Sequence, residues 1–339
     1  MKQNLPLGKL DFPVLERLLS KYKTQSDARI VQGPALGEDC AVLEYSDHYL
    51  IVKTDPITFT AQDIGWYTVQ INANDIATTG ATPKYFLSTI LLPYTKTDEE
   101  DADRIFGQIS AASKDLGISV IGGHTEVTHG IDRPIIAGTM LGEVKKDKLV
   151  LTSGAKPGDV VILTKGIAIE GTSIIAREKE HELLKKNYDK SFIETCKNYI
   201  HTPGISVVKD ALIANREEVH AMHDPTEGGL SAGLYEIAHA SKVGLLVNRK
   251  AIPILPESEA LCREYGLDPL KTISSGALLI AAPVHNANKI IDALHKNNIH
   301  ASIIGEVKDQ SFGLKISDGK TIKALNYSAK DEITKIFNE

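Results

Sequence analysis

The 339 residues carry 38 Lys and Arg against 44 Asp and Glu, a net charge of −6, with 42% hydrophobic and 24% charged residues. That length exceeds one core and predicts two domains of an ordinary globular protein. Clustered Lys and Arg, which a nucleic-acid backbone requires, are absent, and this argues against nucleic acid as the main partner.

The pairs Lys145-Lys146 and Lys185-Lys186 read as isolated, solvated surface. No charged segment followed by an apolar core opens the chain, and the longest apolar run, residues 277–284, is too short for a bilayer. Cys40, Cys196 and Cys262 match no zinc or redox spacing and fit free thiols in a reducing compartment. The expectation is a cytoplasmic protein away from the membrane.

In chain order, Asp11 and Pro13 precede an amphipathic helix over 14–23, with Leu15, Leu18 and Leu19 on one face. Residues 37–43 run from a loop into a strand, and a second strand over 49–52 ends at Thr54-Asp55-Pro56. The stretch 66–81, WYTVQINANDIATTGA, then contains no Lys, Arg or Glu. Thr68, Asn72, Asp75 and Thr79 form one polar stripe at helical spacing, beside an apolar stripe of Ile64, Tyr67 and Ile71. Taken alone, the polar stripe fits either a core helix with satisfied polar groups or a face turned toward something enclosed and polar.

Gly80 closes that helix, and 85–92 reads as a buried strand. Thr97 and Glu100 read as a capping box for a helix over 98–116, which Gly117 ends. A strand over 118–121 leads into Gly122-Gly123-His124-Thr125-Glu126, and 134–144 supplies another strand. The Lys-rich, Gly- and Pro-bearing segment 145–158 is the best boundary, giving domains 1–150 and 151–339.

The second half begins with a strand over 160–164 and a helix over 171–187, and Thr202-Pro203 starts a further helix. A short strand over 219–222 meets Asp224-Pro225-Thr226-Glu227-Gly228-Gly229, followed by a helix to about Ala240. A strand over 277–282, a helix over 286–296, a strand over 302–307 and a polar tail complete the chain. Interleaved strands and helices in both halves predict an α/β or α+β fold.

Asp39, Asp55, Asp75 and Asp224 stand where strands end or helices begin. Singly, each has a structural explanation: a turn at Asp39, a turn starter at Asp55 before Pro56, a helix N-cap at Asp224 with Pro225 and Glu227. Together they suit a hard divalent cation, which needs several carboxylates converging from separate elements. Gly122-Gly123 allows close backbone approach, and its N–H groups can cradle an anion. No P-loop, no GxGxxG after a strand and no nucleophile elbow is present.

These segments resemble the AIR-synthase (PurM-like) superfamily, which includes aminoimidazole ribonucleotide synthetase, selenophosphate synthetase, thiamine-monophosphate kinase and the hydrogenase maturation factor HypE. The carrying residues are Gly37-Glu38-Asp39-Cys40-Ala41-Val42, Thr54-Asp55, the run from Asn72 to Ala81, Gly122-Gly123-His124-Thr125, and His223-Asp224-Pro225-Thr226-Glu227-Gly228-Gly229-Leu230. The resemblance implies a two-domain α/β architecture, N-terminal domains pairing into a barrel across a homodimer, ATP in a cleft and Mg2+ on acidic loops. It implies Asp39, Asp55, Asp75 and Asp224 as metal ligands. Gly122, Gly123, His124 and Thr125 would lie at the phosphates with Asn72 and Asn74 nearby, and Lys9, after Gly8, would reach toward them.

Within the superfamily, Asp224-Pro225-Thr226-x-Gly228-Gly229-Leu230 is closest to HypE, although Glu227 stands where Arg is usual and the C-terminal cysteine of HypE is missing from 334–339. Gly123-His124-Thr125 is similar to selenophosphate synthetase, whose N-terminal thiol is lacking, since nothing before Cys40 is a cysteine. The implied function is a HypE-like, ATP- and Mg2+-dependent activation of an oxygen or amide-type acceptor, with a maturation protein as a partner. The alternatives are a kinase or ligase of the related types, or a non-catalytic ATP-binding scaffold.

Overall fold

The computed structural model describes residues 10, 12–22, 27–58, 62–327 and 330–337. Lys9, Gly8 and Asp11 lie outside the described residues. Two compact units are present: Ser26–Pro34 with Asp39–Leu149, and Val150 onward with Ala35–Glu38 and the N-terminal helix α1 (Phe12–Lys21). The chain thus changes unit at Leu149–Val150, but α1 and Ala35–Glu38 group with the C-terminal unit, where a division at 150 places them in the N-terminal one.

The first unit is a mixed sheet. Its strands are β1 (Ile30–Gln32), β2 (Ala41–Tyr45), β3 (His48–Ile57), β4 (Thr82–Pro93), β5 (Ser119–Thr128) and β6 (Ile135–Lys145), in the order β1-β2-β3-β6-β4-β5. All neighbours are antiparallel except β4 and β5. Helix α2 (Ile64–Thr78) lies against β3, β6 and β4, and α3 (Glu99–Asp115) lies against α2. Every residue of α2 except Trp66 is buried, which explains the lack of Lys, Arg and Glu in its sequence.

Two glycines of β6 let α2 approach that closely. A Cβ on Gly142 would stand 2.3 Å from Ile76 Cγ2, and one on Gly138 would stand 2.5 Å from Asn72 Nδ2. The observed cap of α3 is Asp98, which accepts the Asp101 amide, while the Thr97 hydroxyl bonds the Pro93 carbonyl. The expected Thr97–Glu100 box does not form, because Asp98 reaches an orphan N–H of the first turn.

The second unit contains β7 (Asp159–Thr164), β8 (Ala221–His223), β9 (Val243–Asn248), β10 (Leu279–Pro283), β11 (Ala301–Asp309), β12 (Leu314–Ser317) and β13 (Ile322–Ala324). Their order is β13-β12-β9-β11-β7-β10-β8. Strand β7 is buried at every residue, as its unbroken Asp-Val-Val-Ile-Leu-Thr run anticipates. The helices are α4 (Ile169–Glu178), α5 (Glu180–Lys185), α6 (Lys190–Lys197), α7 (Val208–Ala214), α8 (Gly229–Ser241), α9 (Pro256–Glu264) and α10 (Val284–His295).

One core joins β7, β9, β10 and α8 through Val161, Leu163, Leu234, Leu245 and Leu279, and a second joins α4, α6 and α9 through Ile175, Ile193 and Leu261. Phe12 of α1 stacks on Tyr235 and Tyr327 at 5.3 and 5.0 Å between ring centroids. The helix expected over 171–187 is two helices that meet at Lys179, and Thr202-Pro203 lies in a loop before α7 rather than opening it. Strand β9 and helix α9 were not expected. This mixed α/β arrangement of two sheets agrees with the fold expectation.

Candidate functional site

In the first unit, Asp39, Asp55 and Asp75 surround Lys53. Lys53 Nζ lies 3.0 Å from Asp75 Oδ2, 3.5 Å from Asp55 Oδ2 and 3.9 Å from Asp39 Oδ1. Strand β3 presents Lys53 and Asp55 two residues apart and so on one face, while α2 presents Asp75 and the loop before β2 presents Asp39. The side chain of Asp75 is 4% exposed and that of Lys53 14%.

Burial pulls the Lys53 pKa down, but the charges of Asp75, Asp39 and Asp55 outweigh it and hold the ammonium well above its ordinary value. Asp75 is raised, first by burial and then by its carboxylate neighbours, with Lys53 opposing. Three carboxylates sharing one ammonium leave the cluster short of positive charge. The donors are all oxygen, the type that hard divalent cations prefer, so the residues fit such an ion.

The polar stripe of α2 divides into parts. Asp75 faces Lys53, whereas Asn72 Nδ2 donates to the Asp55 carbonyl at 3.2 Å and to the Thr68 carbonyl at 2.9 Å. The hydroxyls of Thr68 and Thr79 bond carbonyls of their own helix, at Ile64 and Ile76. Those threonines are therefore satisfied core residues, and Asn72 fixes the strand that carries Asp55. Asn74 is fully buried on the same helix.

Gly122 and Gly123 are not a turn. They lie inside β5, with a bulge opposite Phe86-Leu87, and Gly123 approaches β4 so closely that a Cβ would meet Ser88 O at 2.2 Å. Across the sheet Asp55 pairs with Gly138, Gly138 with Ser88, and Ser88 with Gly123. Three strand spacings at about 4.8 Å each separate Asp55 from Gly123 by about 14 Å. Within one chain, then, the glycine pair and the acidic cluster stand apart. His124 and Thr125 are exposed on β5, and His124 Nε2 lies 3.2 Å from Glu126.

Asp224 belongs to the other unit. It follows β8, is 2% exposed, and neighbours His223, whose Nε2 lies 2.7 Å from Glu236 Oε2. Helix α8 begins at Gly229 behind Gly228 in the left-handed region, so Asp224 is not its N-cap. Another carboxylate orders this loop: Asp331 accepts the amides of Gly228 at 2.6 Å, Ile333 at 2.8 Å and Ile273 at 3.2 Å. Burial pushes Asp331 up to about 6, against the pull of those three amides.

The sequence reading missed Lys53 and Asp331. The parity of Lys53 with Asp55 on a strand was a usable signal for the first. The long separation of Asp331 from Gly228 left none for the second.

Residues 37–144 match the family described as AIR synthase related protein, N-terminal domain, and residues 156–316 match AIR synthase related protein, C-terminal domain. Carbamoyl dehydratase HypE of Azotobacter vinelandii is 31% identical over 283 residues, covering 79% of this chain and 78% of that protein. Carbamoyl dehydratase HypE of Rhizobium leguminosarum bv. viciae is 29% identical, covering 80% and 77%.

Among solved structures, AaThiL complexed with AMPPCP and TMP aligns with a TM-score of 0.73 at 20% identity over 96% of both chains. Hydrogenase maturation protein HypE in complex with ATP aligns at 0.70 and 23% over 94% of this chain and 96% of that one. Two family domains in order, each falling within one of the two units apart from residues 37–38, make the chain a member of the AIR synthase related family, of the HypE-like kind.

Proposed function

We propose that the chain is an ATP- and Mg2+-dependent, HypE-like enzyme that activates an oxygen or amide-type acceptor by phosphoryl transfer. The observation that carries this reading is the cluster of Asp39, Asp55 and Asp75, all-oxygen donors held by two rigid elements and a loop around one ammonium. Support for the nucleotide comes from relatives of the same fold, a HypE solved with ATP and a ThiL solved with AMPPCP and TMP. When bound, Mg2+ would neutralise phosphoryl oxygens and stabilise the charge that develops during transfer.

In this reading Asp39, Asp55, Asp75 and Asp224 are the metal ligands, and Asn72 holds the Asp55 strand against the helix that carries Asp75. Gly122, Gly123, Thr125 and His124 are assigned to the phosphates, as are Lys9 and Asn74; standing about 14 Å from the acidic cluster within one chain, the glycine strand meets it only if a second copy supplies it. The thiols of Cys196 and Cys262 are buried, with pKa values pushed up to about 12 and about 11, so neither is suited to carry a transferred group.

A second copy of the chain is the proposed partner of β5. That edge strand exposes Val120, Ile121 and Val127 at 49%, 55% and 58%, and a bare apolar edge calls for a covering strand.

The test is a thermal-shift assay with ATP and Mg2+, followed by ADP release with carboxamide, amine and thiamine-phosphate acceptors. Turnover on one acceptor that Asp75→Asn abolishes, with the fold unchanged, establishes the enzyme. Binding without turnover on any acceptor favours the scaffold, and no shift at millimolar ATP removes the nucleotide.

A further inference from the structure

Lys53 occupies the place a cation would take. Its Nζ is within 4 Å of Asp39, Asp55 and Asp75, three of the carboxylates proposed for the metal, and nearest to Asp75, the most buried of them. With the carboxylates ionised, the cluster carries a net −2 with the ammonium in place, and exchanging the ammonium for a divalent ion lowers that to −1. The arm is anchored on β3 two residues from Asp55, so Lys53 has access to this cluster whenever no other cation holds it.

An ammonium and a divalent cation cannot share these oxygens at short range. Like charges a few ångströms apart at a partly buried site repel strongly, because little solvent screens them. A metal bound at about 2.1 Å to the same oxygens would force the ammonium outward. The four-carbon arm of lysine is flexible enough to leave, where a guanidinium fork is not so easily released.

We infer that Lys53 is an exchangeable counter-ion: it holds Asp39, Asp55 and Asp75 together without metal and gives way to a divalent cation, so the bare ion binds weakly. The anion that best accepts the displaced ammonium is a phosphoryl oxygen arriving with the metal, which favours a metal–nucleotide complex over the metal alone. The inference rests on the proposed assignment of these three carboxylates to a divalent cation.

The experiment measures Mn2+ binding to the full chain by calorimetry and electron paramagnetic resonance, without nucleotide. Lys53→Met is expected to bind Mn2+ at least about tenfold more tightly than wild type, about 1.4 kcal/mol. Lys53→Arg should bind no more tightly than wild type, and adding Asp75→Asn to Lys53→Met should remove the gain.

A second readout needs no variant. Acetylation of wild-type lysines, mapped by mass spectrometry, should find Lys53 protected without metal and labelled once millimolar Mn2+ is present. Equal Mn2+ affinity in wild type and Lys53→Met, or Lys53 labelling indifferent to Mn2+, overturns the inference. If ATP with Mg2+ still raises the melting temperature, the nucleotide reading survives that failure. A Lys53→Met gain without any ATP shift sustains the inference and removes the nucleotide instead.

Discussion

Asn72 Nδ2 donates to the backbone carbonyl of Asp55, and a Cβ on Gly138 would stand 2.5 Å from that same nitrogen. The bond locks α2, with Asp75, to β3, with Asp55 and Lys53, and the missing methyl of Gly138 is what lets it form. The geometry of the acidic cluster is therefore set by an amide and a glycine that carry no charge.

Replacing Asn72 by Ala leaves the Asp55 carbonyl without this donor in a partly buried place. A loss of about 1–3 kcal/mol in unfolding free energy is expected from urea titration. The stabilisation by ATP and Mg2+ should shrink with it, since Asp55 is then held less firmly. A variant as stable as wild type would show that the bond does not matter.

Gly138→Ala places a methyl against Asn72 Nδ2, Thr68 Cγ2 and Phe86 Cε2 at 2.5, 2.8 and 2.9 Å. Overpacking of this kind costs about 1–3 kcal/mol. Combined with Asn72→Ala the cost should be smaller than the sum, because one clash partner has gone, and a double-mutant cycle in urea reads the difference.

Glu170, buried in the first turn of α4, is pushed up to about 7 by burial, against the pull of a Ser275 hydrogen bond and with the charges of Asp331 and Glu227 adding to the rise. A carboxyl whose folded pKa is raised costs nothing below its ordinary 4.5 and destabilises increasingly as pH climbs to about 7. Glu170→Gln should thus match wild type near pH 4.5 and exceed it by about 3 kcal/mol at pH 8. A difference that does not change with pH would contradict the assignment.

At pH 8 the thiolate fractions of Cys196 and Cys262 are of order one in ten thousand and one in a thousand, from pKa values of about 12 and about 11. Labelling by a disulfide reagent should proceed at these two sites at least about a hundredfold more slowly than in urea-unfolded chain. Mass spectrometry of the labelled peptides reads it out. Rapid native labelling of either would place that thiol in a more open setting.

Ile121→Lys puts a charge on the exposed edge of β5 without touching a packed residue. Sedimentation should show a shift toward monomer at an unchanged monomer fold. If wild type is itself monomeric at high concentration, β5 has another cover.

Much of this was readable from the residues. The spacing of Thr68, Asn72, Asp75 and Thr79 and the missing long charged side chains marked α2 as enclosed, and it is buried almost throughout. What failed was local reading of proline. Asp55 before Pro56 suggests a turn, yet β3 continues to Ile57, where β2 no longer flanks it and the absent N–H of Pro56 is tolerated. Asp224 before Pro225 suggests a helix cap, but Gly228 and Gly229 postpone the helix and the Asp331 carboxylate takes the Gly228 amide. Lys53 was missed because a lone Lys in a strand reads as solvent-facing; only the return of α2 and the β2 loop encloses it.

The bonds from Asp331 to Gly228 and Ile273 span 103 and 58 residues of chain. A chain emerging from the ribosome has the Asp224 loop outside long before residue 331 is made. Until then the amide of Gly228 lacks its carboxylate acceptor. The loop that carries Asp224 is thus completed by a carboxylate that reaches it late in synthesis.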